Sequence, residues 1–232
     1  MLINKTGAVI AVLFLGSFPR QLQAQSICHP NYGLKSHQTL VIKRVETGGD
    51  STHFYMSIEN RITGGTFCAD RNICVVYPDG RLVKLLSSSG IPVCPDMHSF
   101  REPGEKLEFR LTFPSLEPGT RWIDLVEECD DNCFSFYGIT LDTGLNREID
   151  DAFALVEKKT PGEALGRLAS LAASVEGKNT GIDGLLLITM IQLTFENGDL
   201  AVSSEWYRKL EMSGIPRLNQ YLRYLSLQGI KF

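Results

Sequence analysis

No cysteine follows Cys133 and no histidine follows His98 in this 232-residue chain. The C-terminal stretch therefore holds no thiolate or imidazole for metal binding or catalysis. The four histidines, His29, His37, His53 and His98, stand in no catalytic spacing. Gly-x-Ser-x-Gly, His-Glu-x-x-His, a phosphate loop and a dinucleotide fingerprint are all missing, and so is Cys-x-x-Cys. These absences remove the readily named chemistries without excluding an enzyme, because a triad is assembled in space rather than along the chain. Basic runs are missing too. With 23 Lys and Arg against 27 Asp and Glu, the formal charge is −4, which argues against nucleic acid as a partner. Past residue 24 no apolar run approaches the roughly 20 residues that span a bilayer. The most apolar stretch, Leu185 to Phe195, is interrupted by Thr189, Gln192 and Thr194. No catalytic, cofactor-binding or metal-ligating residue is assigned, and no cofactor is expected.

What is present begins with a leader. Lys5 supplies a positive start, Ala8 to Leu15 a short apolar core, Pro19 a helix break and Ala24 a small residue before Gln25. This pattern predicts a secretory signal peptide over residues 1–24, and hence an exported protein, periplasmic or extracellular, with no membrane span after cleavage. The leader holds two cations and no acid, so the remainder carries a charge of about −6. At 43% apolar and 22% charged residues, the composition is that of a globular protein with a real core.

All six cysteines, Cys28, Cys68, Cys74, Cys94, Cys129 and Cys133, lie after the leader and before residue 134. An even number confined to one part of an exported chain reads as a disulfide framework for that part. Proximity in sequence suggests Cys68 with Cys74 and Cys129 with Cys133, leaving Cys28 with Cys94. A short loop such as Cys129–Cys133 is worth roughly 2 kcal/mol and a long one such as Cys28–Cys94 roughly 4 kcal/mol. The competing reading is zinc, held by Cys94, His98, Cys129 and Cys133 at ligand-like spacing. An oxidising compartment favours the disulfides.

Residues 25–142 read as a β domain. Runs of β-branched and aromatic residues cover 39–47, 52–60, 73–77, 82–86, 105–113, 121–127 and 134–141, separated by turn signals such as Pro78-Asp79-Gly80. Leu107, Phe109, Leu111 and Phe113 alternate with polar residues, the pattern of a half-buried strand. Trp122 to Val126 alternates less strictly, as if covered on both faces. Seven short strands at this spacing predict an antiparallel immunoglobulin-like sandwich, with a small barrel as the alternative. The run Phe113-Pro114-x-Leu116, Gly119-Thr120-x-x-Ile123-Asp124-Leu125-x-Glu127 and Phe134-x-Phe136-Tyr137-Gly138-Ile139 resembles the closing strands of Ig-like domains in exported bacterial proteins. The resemblance implies a fold and a compartment and carries no catalytic residue.

From residue 146 to 232 the hydrophobic period lengthens to that of helices. Ile149, Ala152, Phe153 and Val156 form one stripe. Thr160-Pro161-Gly162-Glu163 reads as a capping box, residues 181–195 as a buried central helix, Asp199 as the cap of the next, and Pro216 as the opening of the last. The fold class is thus α+β, a sandwich followed by a small antiparallel helical array. The Phe195–Leu200 and Trp206–Leu210 segments resemble a tetratricopeptide hairpin, although Ser203 and Leu210 stand where that motif has alanine and no second copy is evident.

Trp206, Tyr221 and Tyr224 form an aromatic set that reads either as core or as a groove for a partner. The acidic cluster Glu127, Glu128, Asp130 and Asp131 reads as a solvated turn rather than a glycosidase pair, and neither it nor Asp142, Asn146 and Glu148 matches an EF-hand loop. The expected function is a non-catalytic interaction module of the bacterial cell envelope that binds a protein or peptide. The alternative is a secreted hydrolase acting on an envelope or dietary polymer.

Overall fold

The structure, a computed structural model, describes residues 25–129, 132–158 and 160–232. The expected leader, and Asp130 and Asp131 of the acidic cluster, lie outside the described residues. The fold is α+β: twelve strands come first in the described chain and five helices follow.

The first sheet joins β1 (Gln25–Cys28), β3 (Leu40–Gly48), β4 (Ser51–Glu59), β10 (Lys106–Pro114) and β8 (Ser87–Ser89), in that order. The second joins β2 (Leu34–Lys35), β12 (Ser135–Thr140), β11 (Trp122–Glu127), β6 (Ile73–Val76) and β7 (Leu82–Lys84). Neighbours in both sheets pair antiparallel. A two-stranded ribbon of β5 (Thr66–Phe67) and β9 (His98–Ser99) lies apart from them.

One apolar cluster takes side chains from both large sheets, among them Leu40, Phe54, Met56, Leu111 and Phe113 from the first and Ile73, Val75, Ile123, Leu125 and Phe136 from the second. Period-two alternation produces it. Along β4, Thr52, Phe54, Met56 and Ile58 are buried while their neighbours are only half covered. Each of the seven strands read from the sequence is found to within about two residues, the usual scatter of boundaries. The five very short strands were not anticipated.

The cysteine pairing keeps one expected bridge, Cys129–Cys133, and corrects the other two. Cys68 bonds to Cys94 and Cys129 to Cys133, leaving Cys28 exposed and Cys74 buried as free thiols. The register explains why. Ile27 and Ile73 face the shared core, so the next residues, Cys28 and Cys74, turn to the outer faces of opposite sheets. Cys68 instead lies where the chain past β5 runs beside residues 92–94, with Ala69 N–H donating to Pro92 O and Cys94 N–H to Ala69 O. The zinc reading falls with it. Cys94, Cys129 and Cys133 are spent in disulfides, and no group of three or more metal-ligating side chains exists among the described residues.

The helices are α1 (Thr143–Glu157), α2 (Pro161–Val175), α3 (Asp183–Glu196), α4 (Leu200–Glu211) and α5 (Leu218–Leu227). Asp142 caps α1 by accepting from Leu145 N–H, and Asp199 caps α4 by accepting from Val202 N–H. The capping box at Thr160 does not form: Pro161 takes the first helical position, but the Thr160 hydroxyl donates backwards to Leu155 O. A second apolar cluster binds the helices together through Ile149, Leu168, Leu186, Ile191, Leu210 and Leu225. Ser203, at a position where the tetratricopeptide pattern has alanine, is fully buried and donates its hydroxyl to Ile191 O of α3.

Candidate functional site

The helical array is bonded to the strands, not merely tethered to them. Trp122 and Asp124 of β11 and Tyr137 and Gly138 of β12 line the seam, which explains the loose alternation of 122–126. Trp122 and Asp124 are buried outside the shared sheet core, and their inward neighbours Ile123 and Leu125 belong to it. Trp122 Nε1 donates to Asn179 O at 2.8 Å, across the gap to the loop before α3. Gly181 (φ +78°) lies flat on that indole, where a Cβ would come 2.6 Å from the ring. Gly138 (φ +67°) meets Gly181 O so closely that no side chain fits. Neither position tolerates a larger residue without separating the two halves.

A charged lock completes the seam. Asp124 accepts from Gly138 N–H at 2.8 Å through one oxygen and from Arg217 Nη2 at 3.0 Å through the other. Arg217 precedes α5 in a left-handed conformation (φ +64°), with its guanidinium carbon 4.9 Å from the centre of the Tyr137 ring. Tyr221 fills the space against Gly33 and Gly184, and burial, reinforced by the charges of Asp124 and Asp183, pushes its phenol well above the usual range. Asn31 adds a further tie by donating to Asn146 and Asp150 of α1.

The seam fixes the two loops that border a cleft in the helical half, about 840 Å³ in volume. Loop 176–182 forms one wall and the α4–α5 connection, 212–217, the other. Leu187, Met212, Ile215 and Pro216 supply apolar lining, with Met212 85% exposed. Glu176, Asp183 and Glu205 supply carboxylates, and none is in an ion pair among the described residues. Arg208 and Lys209 stand in the last turn of α4, where cations complement the helix dipole. Burial raises the Asp183 carboxyl above the ordinary range, against the opposing hydrogen bonds from backbone and Thr180. Chemically the cleft offers apolar contact together with unpaired acid groups, a combination suited to a basic, partly apolar ligand.

Of the two readings of Trp206, Tyr221 and Tyr224, core or partner groove, the structure favours core, since Tyr221 belongs to the helical cluster and the other two pack against it. Tyr221 is 3% exposed and belongs to the seam. Tyr224 is half-buried and accepts from Gln192 at 3.3 Å, while half-buried Trp206 lies beneath Lys209 Nζ, 5.6 Å from its ring centre. None of the three lines the cleft, because the stripe that carries them is the face α4 and α5 turn to their neighbours.

The acidic cluster is divided as well. Glu127 is buried as a structural acceptor for Asp70 N–H and Phe134 N–H, and desolvation raises its carboxyl despite those bonds. Asp142 is spent on the α1 cap and on Arg121, and Asn146 on Thr140 O and Asn31. Comparison with known proteins finds no matching family model, no matching curated protein and no matching solved structure.

Proposed function

We propose that this chain is an exported, non-catalytic binding module of the bacterial cell envelope. In this reading the strands form an immunoglobulin-like sandwich, and a tetratricopeptide-like helical array docked on it receives a peptide segment of a partner protein. The observation that carries the reading is the cleft between loops 176–182 and 212–217, where Glu176, Asp183 and Glu205 stand unpaired beside Leu187 and Met212. Glu176 and Glu205 are exposed and Asp183 is half-buried, and with apolar surface beside them a peptide with a Lys or Arg next to an apolar residue is the complementary ligand. The locked seam supports it by holding both walls in place before binding, which lowers the ordering cost. Two disulfides are consistent with an oxidising compartment, and no helix among the described residues is long and apolar enough to cross a membrane.

Selection from a random-peptide display library on residues 25–232 tests the proposal. Enriched peptides should pair a basic with an apolar residue and should lose binding to the double variant Glu205→Lys, Met212→Glu, whose side chains are exposed. Enrichment of no sequence, of peptides indifferent to that variant, or a polymer-hydrolysing activity in the purified protein would overturn it.

A further inference from the structure

A second, independent surface lies on the outer face of the first sheet, remote in sequence from the helical cleft. Register places one residue from each strand in a single row: Cys28, Arg44, Tyr55, Arg110 and Ser89. The row faces outward, since Ile27, Val45, Phe54 and Phe109 on either side of it belong to the shared core. Arg44 and Arg110 flank Tyr55 on adjacent strands, so their backbones stand two strand spacings apart, about 10 Å. Like charges on neighbouring strands repel, a cost that a bound anion would relieve.

The two arginines are held differently. Arg44 lies over the Tyr55 ring, 4.1 Å from its centre, and next to Glu46. Its Nε is buried yet makes no hydrogen bond. Tyr55 donates its hydroxyl to Glu46 at 2.8 Å, which anchors this pair. Arg110 is exposed and has no ion pair among the described residues. A register shift between Ile42 and Arg44 adds Lys43 to the same face, where it bonds Glu108 at 2.6 Å. Together they line a shallow depression of about 710 Å³ with three cations, of which Lys43 is paired with Glu108 and Arg44 with Glu46 at 3.1 Å, leaving Arg110 as the cation without an ion pair among the described residues.

We propose that this depression is an oxyanion-binding site that takes a carboxylate or phosphoryl group, with Arg110 as its principal ligand and the stacked Arg44 as a fixed second donor. A guanidinium presents two parallel N–H donors that match either oxyanion, and a stacked one loses little freedom on binding. The site is open and shallow, so a single group binds weakly, and useful affinity would come from an anionic chain that repeats it.

The test titrates residues 25–232 with sodium glucuronate and, separately, with inorganic phosphate, following backbone amide shifts at constant ionic strength. Saturable shifts at Arg44, Tyr55, Ser89 and Arg110 are expected, with binding weakened roughly fivefold to tenfold in Arg110→Gln, the effect of one charge-assisted contact near a surface. Arg110 is exposed, so this variant should fold normally, and Lys106→Gln serves as a cationic control with no expected loss. Response to glucuronate alone assigns a carboxylate source, response to phosphate alone a phosphoryl source, and response to both the shared chemistry. No saturable shift with either anion, or equal binding by wild type and Arg110→Gln, overturns the proposal.

Discussion

The two sheets share one core but differ in what covers their outer faces. On the first, β4 alternates strictly, with buried Phe54 and Met56 between half-covered His53, Tyr55 and Ser57. On the second, four consecutive residues of β11, Trp122 to Leu125, are buried. The second sheet owes its double burial to the helices docked on it, whereas the first keeps a wet, cationic face. A sequence that loses its period of two within a strand therefore marks a covered sheet. The comparison assigns different duties to the faces: one joins the halves, the other is free to meet a ligand.

The largest expected effect comes from removing an outward aromatic on each face. Trp122→Ala should cost roughly 3 to 5 kcal/mol, since it empties the seam and orphans Asn179 O, while Tyr55→Ala on the open face should cost about 1 kcal/mol. Urea unfolding of both variants checks this, and equal losses would mean that the helices do not seal the second sheet.

Disulfide reduction sharpens the same contrast. The 26-residue separation of Cys68 and Cys94 implies about 3.5 kcal/mol on the loop-entropy model, and the shorter Cys129–Cys133 bridge about 2 kcal/mol. Both bridges lie among the strands, so an independent helical domain would ignore their loss. Because the seam couples the halves, reduction should shift far-UV dichroism and tryptophan fluorescence together, as one transition. Separate transitions would show two domains that merely touch. Thiol titration of the unreduced, denatured protein should find two free cysteines, with only exposed Cys28 reacting promptly in the native state. The Cys74 thiol is pushed up by burial, then by Glu128, and should react slowly.

Arg217→Met should cost about 1 to 3 kcal/mol. It strands a carboxylate whose side chain is only 7% exposed, but solvent reaches the arginine, which is 39% exposed, and moderates the loss. Arg81→Met, which removes the exposed bonds to Asp79 and Glu117, should leave the unfolding midpoint within error by the same assay.

Much of this arrangement can be read from the chain, and the exceptions have physical causes. Period-two runs located the principal strands, and the breaks at Asp142 and Asp199 located two helix starts, because these signals are local. The short strands β1, β2, β5, β8 and β9 carry too few residues to show a period. Nearness in sequence paired Cys68 with Cys74, but strand direction sends those side chains apart. The seam was hinted at only by the broken alternation near Trp122. Its other parts, Gly138 against Gly181 and Arg217 against Asp124, are contacts between distant segments that no local pattern encodes. The aromatic set was read as a single group because Trp206, Tyr221 and Tyr224 are close in sequence, while packing assigns them different neighbours.

The smallest measurable shift concerns pH. Asp183 borders both the seam and the cleft, and burial raises its folded-state carboxyl above the unfolded value near 4. A raised carboxyl means that the folded chain binds more protons than the unfolded one within that interval. Its contribution to stability is therefore most favourable below the unfolded value and is lost as pH rises through the raised one, the reverse of a salt-bridged acid. Asp183→Asn removes this dependence. The stability of wild type relative to the variant should fall as pH is raised from about 4 to 7, by less than about 1 kcal/mol because the group is only partly desolvated. On the open face Glu108, held by Lys43, is instead shifted downwards, so its contribution is present at neutral pH and fades on acidification. Urea midpoints of wild type against Asp183→Asn from about pH 4 to 7, and against Glu108→Gln from about pH 5 down to 3, should thus diverge in opposite directions. Parallel profiles would show that neither face sets the charge state of its acids.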